Sequence, residues 1–201
     1  TIGALYRDPT QSPSNQAVDA SYSPNNEYIG YFYSKGCYKY ISNPTDEVKD
    51  DRSKDDYKRF QLEFESADRK CTGETFSGNF LNWSASSSID ILRLALSGGD
   101  RYIDETDLTV LQRAVVLSGN PQVACLWNHN MFFPAKKLTY HETHKFYGAI
   151  PEAMATRAIA EVKKADLTAT QFNLWVANRH DGIYFNVYPN IIEGSSKKNP
   201  D

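Results

Sequence analysis

The stretch "SGNFLNWSASSSIDILRLALSG" (77–98) decides how the rest of the chain is read. From Ile89 onward, Ile89, Ile91, Leu92, Leu94, Ala95 and Leu96 fall at helical spacings, with Asp and Arg between them. Ser88 and Asp90 supply N-terminal punctuation and Gly98-Gly99 a C-terminal stop. The pattern predicts an amphipathic helix near 84–97 that buries one face against a larger core. Asn79 and Asn82, flanked by aromatics, are expected to bond backbone groups left open where the chain enters that helix. The run carries no arrangement of acid, base and nucleophile.

Working outward, "RFQLEFE" (59–65) alternates Phe60, Leu62 and Phe64 with Gln61, Glu63 and Glu65, the pattern of a half-buried strand. "DETDLTVLQRAVVL" opens on Asp104, Glu105 and Asp107, carboxylates that favour a helix N-terminus, and predicts a second core helix at 104–117. "QVACLW" (122–127) reads as a short buried strand, and Pro151 as the start of a helical turn. "AIAEVKKA" (158–165) fits a strand or a helix equally. Near 171–188, two alternating runs flank Asp181-Gly182, which predicts a β-hairpin. The fold class is therefore α+β, or part of an α/β domain. Two core helices pack on a sheet, and residues 27–189 form a single globular domain. Residues 1–26, rich in Pro, Ser, Asn and Gln, read as an irregular approach segment, and 190–201 as a polar tail or linker. Both ends look like those of a piece cut from a longer protein.

The 201 residues are ample for a proper core. A formal charge of −3 offers no basic field for nucleic acid. No apolar run is long enough to span a membrane. "EYIGYFYSKGCYKY" (27–40) concentrates tyrosine, which suits a binding surface and ordinary sheet packing alike. Alternation puts Tyr28 and Phe32 on one side of an extended segment and Ile29, Tyr31 and Tyr33 on the other. If a partner docks, the outward members of Tyr28, Tyr31, Tyr33, Tyr38 and Tyr40, with Tyr184 and Tyr188 of the hairpin, are the candidate residues. The mixed-charge stretch 42–59 is costly to dehydrate and is expected to stay solvated.

No metal or catalytic residue is assigned. "DASYS" (19–23) formally matches the pattern by which von Willebrand type A domains hold a divalent cation, but "PSNQAV" before it cannot make the buried strand that site requires. His141, Glu142 and His144 lack the spacing and third ligand of a zinc site, and "DDRSKDD" (50–56) lacks the glycine and terminal glutamate of an EF-hand loop. Serines are many, but none lies in a nucleophile elbow, and no P-loop occurs. Cys37, Cys71 and Cys125 form no CxxC pair. A bridge between Cys37 and Cys71 would close the charged excursion, and Cys125 suits a buried thiol or a partner beyond these residues.

Residues 77–116 also carry Gly78 to Trp83, then Ile89, Asp90, Arg93, Gly98, Gly99, Thr109, Val110, Leu111, Arg113 and Ala114. That series resembles the signature of the PilC/PilY family of type IV pilus tip-associated proteins. "YIGYFYSKGCYKY" is similar to the family's tyrosine-rich segment, with Cys37 on its cysteine. Leu174, Trp175, Ala177 and Asn178 are similar to its Leu-Trp-x-Ala-Asn segment, although the cysteine that usually follows is absent. The resemblance implies a non-enzymatic module acting in pilus assembly and adhesion, in the periplasm, on the outer surface and at the pilus tip. It implies pilin or minor pilin subunits and a host-cell or surface receptor as partners. It also implies an association with a von Willebrand type A-like domain. That domain's strand and metal motif are missing here, so no cofactor is expected within these residues and any divalent cation belongs elsewhere in the full-length protein. Secretion together with the family match predicts a Cys37–Cys71 disulfide. The competing classes are a secreted enzyme, which would need perturbed carboxylates gathered around Glu63, Glu65 and Asp90, and a purely structural insertion domain.

Overall fold

The computed structural model describes residues 22–44, 53, 57–114, 136–139, 148–156, 172–179 and 182–189, with 136–139, 172–179 and 182–189 described by backbone alone. Outside these lie the 122–127 strand candidate, Cys125, His141, Glu142, His144, residues 158–165, Asp19 and Ser21 of "DASYS", most of the charged stretch 45–56 and the tail.

The order is β1 (Gly36–Ile41), β2 (Arg59–Glu65), β3 (Phe76–Ser77), α1 (Gly78–Ala85), α2 (Ser88–Ser97), β4 (Arg101–Asp104), β5 (Thr109–Leu111), β6 (Lys136–Thr139), β7 (Phe172–Arg179) and β8 (Gly182–Pro189). They pair as three sheets, β2-β1-β3, β4-β5 and β6-β7-β8, and every pairing is antiparallel. The described strands thus lack the parallel ladder of a doubly wound α/β sheet.

The core is aromatic. Tyr22, Tyr28, Tyr38, Phe76, Phe80, Leu81 and Trp83 form one buried cluster with Ala149, Ile150 and Ala155, and Phe32, Phe60 and Met154 pack against it. Tyr22 stacks with Tyr28 and meets Phe80 edge-on, at centroid distances of 5.8 and 5.4 Å. Burial pushes the Tyr22 hydroxyl far up from its ordinary range. A segment that reads as irregular approach therefore already contributes a core residue, because a lone aromatic among polar neighbours gives no periodic signal.

Three expectations need correction. The first helix is two helices. Gly78–Ala85 is itself helical and wholly buried, and extended backbone at Ser86 and Ser87 separates it from α2. Ser87, not Ser88, caps α2, in a capping box with Asp90. The second helix does not form over its described part. Residues 101–104 and 109–111 make a β-hairpin, with Ile103 fully buried opposite Val110. Asp104 ends β4 opposite Thr109, and Glu105 and Asp107 occupy the turn, where Glu105 and Leu108 exchange backbone hydrogen bonds. Finally, the α2 face expected in the core is outward. Ile89, Leu92 and Leu96 are 51%, 57% and 78% exposed, and Asp90 is the buried residue of that helix.

Strand β2 occupies 59–65, as its alternation predicts, but it is not half-buried: Phe60 is partly buried, whereas Leu62 and Phe64 are exposed. A register shift, however, inserts Glu63 between Leu62, opposite Tyr38, and Phe64, opposite Cys37. Opposed residues share a face and successive β1 residues alternate, so this bulge moves Phe64 off the face of Phe60 and Leu62. The hairpin β7–β8 forms with Arg179 opposite Gly182, one residue before the expected Asp181-Gly182 turn. Residues 152–156 are helical after Pro151, whose carbonyl accepts from the Ala155 N–H.

Cys37 and Cys71 are joined, with Cα atoms 5.5 Å apart and a sequence separation of 34. Closing a loop of that size restricts the unfolded chain by about 4 kcal/mol in the chain-entropy account. The Cys71, Ser77 and Glu152 N–H groups bond Gly148, Ala149 and Gly73 carbonyls, tying 148–152 along the segment that leads into α1.

Candidate docking surface

Two asparagines one helical turn apart hold the tyrosine-rich segment in place. The Asn79 Oδ1 accepts the Tyr28 N–H at 2.9 Å, and its Nδ2 donates to the Asn26 carbonyl at 2.8 Å. Asn82 accepts the Phe32 N–H at 3.0 Å and donates to the Tyr28 and Phe32 carbonyls at 2.9 and 2.7 Å. The expectation that they serve the helix entrance is corrected: they serve a segment about fifty residues earlier in the chain. A buried helix whose side-chain amides mimic a neighbouring strand can fix an irregular loop without leaving its polar groups unpaired. Gly30 lies against this clasp, since a Cβ there would fall 1.9 Å from Ser86 Oγ and 2.3 Å from Asn82 Oδ1. The Ser34 hydroxyl, bonded to Glu27, holds that carboxyl below its usual range and closes the loop, with Arg69 3.6 Å from Glu27.

The other signature residues serve the α2 end of the fold. Asp90 Oδ2 accepts from the Ser87 N–H and hydroxyl at 2.8 and 2.7 Å, and its Oδ1 accepts from the Ala114 N–H. Arg93 meets Asp100 at 2.7 Å. Gly98 (φ 76°) is the left-handed cap of α2. Gly99 (φ 107°) brings its backbone close to Leu111 and Tyr31. These residues hold structure together. Asp90 is wholly engaged, whereas Glu63 and Glu65 are exposed on β2, so the three do not converge on one buried site. Among the described residues no group of three His, Cys, Asp or Glu is placed to hold a metal ion, and no helix is long and apolar enough to cross a membrane.

The tyrosines divide into anchors and outward rings. Tyr28 is buried, with its hydroxyl accepting from the Ser23 N–H. Tyr38 is buried too. Its hydroxyl accepts from the Tyr33 N–H at 2.8 Å, and loss of water raises its pKa. Tyr31 is half-buried with its pKa raised by the same cause, and its hydroxyl accepts from the Asp100 N–H at 3.2 Å. Tyr33 and Tyr40 are outward, 46% and 43% exposed. Tyr184 and Tyr188 lie opposite Ala177 and Asn173 in the β7–β8 ladder, and their side chains are outside the described residues.

Tyr40 is outward on the β1–β2 ribbon, and Tyr33 is outward on the turn that leads into β1, where its carbonyl accepts the Gly36 N–H. Tyr40 lies opposite Phe60 with ring centroids 5.1 Å apart, and Leu62, 45% exposed, lies opposite Tyr38. Phe60 meets Phe32 and Phe76 edge-on at 5.7 and 5.4 Å, which connects the rim rigidly to the core. Leu62 was not among the candidate residues. Its alternation is visible in the sequence, but nothing local marks β2 as an outer strand.

What these observations define is a small antiparallel α+β domain with a clasped, aromatic-rimmed ribbon and an outward apolar helix. A family profile described as "PilY1 homolog, small alpha/beta domain" matches residues 19–166, and the chain belongs to that family. Two proteins of Xylella fastidiosa (strain Temecula1 / ATCC 700964), each described as "Type IV pilus biogenesis factor PilY1 homolog", are similar to it. One is 37% identical over 102 residues, covering 48% of this chain and 8% of the relative. The other is 32% identical over 123 residues, covering 61% and 7%. The chain thus spans less than a tenth of the length of these curated relatives. No solved structure matches it.

Proposed function

We propose that this domain is a non-catalytic docking module within a type IV pilus biogenesis factor, acting in pilus assembly and adhesion from the periplasm to the outer surface and pilus tip. The observation that carries the reading is family membership across residues 19–166, with relatives named for type IV pilus biogenesis. The geometry offers a surface: Tyr40 and Leu62 are outward on the β1–β2 ribbon, whose inner rings are buried, and Tyr33 is outward on the turn before it. Tyrosine there offers contact area, a hydroxyl for hydrogen bonding and few bonds to freeze, so it suits a pilin or minor pilin subunit, or a surface receptor.

The test is a Tyr33→Ser/Tyr40→Ser double variant. It should keep its melting temperature and weaken binding to purified pilin or minor pilin subunits at least about tenfold, the size expected for aromatic anchors. Tyr28→Ser should instead melt early. A double variant that folds and binds every pilin subunit as the wild type does would remove this face from the reading.

A further inference from the structure

We propose that two copies of this chain join through the edges of β2. Among the described strands β2 is outermost in the order β2-β1-β3, and Gln61 through Glu65 are all exposed. An outer strand of this length presents a row of backbone groups that invites another strand. The sequence around it is complementary to itself. In an antiparallel pairing with its two-fold axis at Gln61, Phe60 faces Leu62 of the partner subunit, and Gln61 meets its own counterpart. Arg59 lies across from Glu63 of the partner subunit. The symmetry repeats each contact, giving two apolar pairs and two opposite-charge pairs from five residues.

The bulge selects this register. An axis at Leu62 would set Phe60 against Phe64 of the partner subunit, but Glu63's insertion puts Phe64 on the opposite face, with Cys37. A two-fold axis perpendicular to the sheet keeps each face continuous, so that pairing would oppose mismatched faces. About Gln61, by contrast, Phe60 and Leu62 share the face of Tyr40 and Tyr38 in both copies. Arg59 donates to the Tyr57 carbonyl at 3.1 Å and to Gln61 Oε1 at 3.0 Å, so its guanidinium lies beside the residue on the proposed axis. The bulge also ends the regular ladder after Leu62, so Glu63 meets Arg59 of the partner subunit just past its end, the contact is short and the dimer weak, forming only at high protein concentration or where copies are held together.

Sedimentation velocity of the 201-residue chain over rising concentration tests this. A monomer–dimer equilibrium is expected. Arg59→Glu and Glu63→Arg should each weaken it at least about tenfold by setting like charges across the two-fold axis, and the combined variant should recover most of the loss. Hydrogen exchange on the unaltered chain provides a second reading: amides between Arg59 and Leu62 should gain protection with concentration. A chain that stays monomeric at millimolar concentration, or a dimer indifferent to both charge reversals, overturns the proposal. So does a dimer that shields another segment.

Discussion

Helices α1 and α2 are neighbours joined by two serines, yet they do opposite things. All eight residues of α1 are buried, two of them asparagines, whereas α2 carries the stronger apolar stripe and turns it to solvent. The two are about equally apolar in composition, so hydrophobicity alone does not decide which is buried. Helix α1 is buried on every side because Phe80, Leu81 and Trp83 join the core and each asparagine finds backbone partners in the 26–32 segment, which removes the penalty of dehydrating its amide. Helix α2 keeps its stripe outward because its fixed points are polar. Asp90 and Arg93 tie its buried side to Ser87, Ala114 and Asp100, and that orientation leaves Ile89, Leu92 and Leu96 outside. Where a helix sits here is decided by which hydrogen bonds it completes.

The comparison breaks most sharply at Asn82. Replacing it with Ala strands the Phe32 N–H and the Phe32 and Tyr28 carbonyls beside a buried helix. At roughly 1–3 kcal/mol for each unsatisfied buried group, the Asn82→Ala variant should lose about 4 kcal/mol, measured by urea unfolding. A loss under about 1 kcal/mol would mean that water reaches these groups and that the clasp does not hold α1 inside.

Gly30 sharpens the same contrast at a smaller cost. A methyl group there collides with Ser86 and with the Asn82 amide oxygen, so Gly30→Ala must push the loop off the clasp. Overpacking of this kind costs about 2 kcal/mol. Adding Ser86→Gly removes two of the three clashing atoms and should restore part of the loss. Without any such recovery, the loop yields elsewhere.

The difference between the helices also marks what could be read ahead. Strand β2 was legible because alternation is local, and the bulge at Glu63 was not, because it depends on the register against β1. The asparagine spacing was visible, but its partners lie about fifty residues away, beyond any local pattern. Asp104, Glu105 and Asp107 were misread for a related reason. Early carboxylates favour a helix start and also a polar hairpin turn, and burial of Ile103 opposite Val110 decides between them. In the tyrosine-rich segment, residues 30–35 bend and turn where an extended run was expected, so which rings remain outward depends on α1 and β2 packing beneath them.

The smallest effect belongs to the outward helix. Replacing Leu92 and Leu96 together with Gln leaves helix propensity nearly unchanged and removes apolar area that faces water. Surface substitutions of this kind fall within about 0.5 kcal/mol, so the Leu92→Gln/Leu96→Gln variant should melt almost with the parent chain. The capping box and the Arg93–Asp100 pair are untouched, so α2 keeps its ends and its orientation. A loss of about 2 kcal/mol or more, the size expected of a buried leucine, would show that the stripe is covered in solution. In that event α2 would be a core helix like α1, and the contrast between them would disappear.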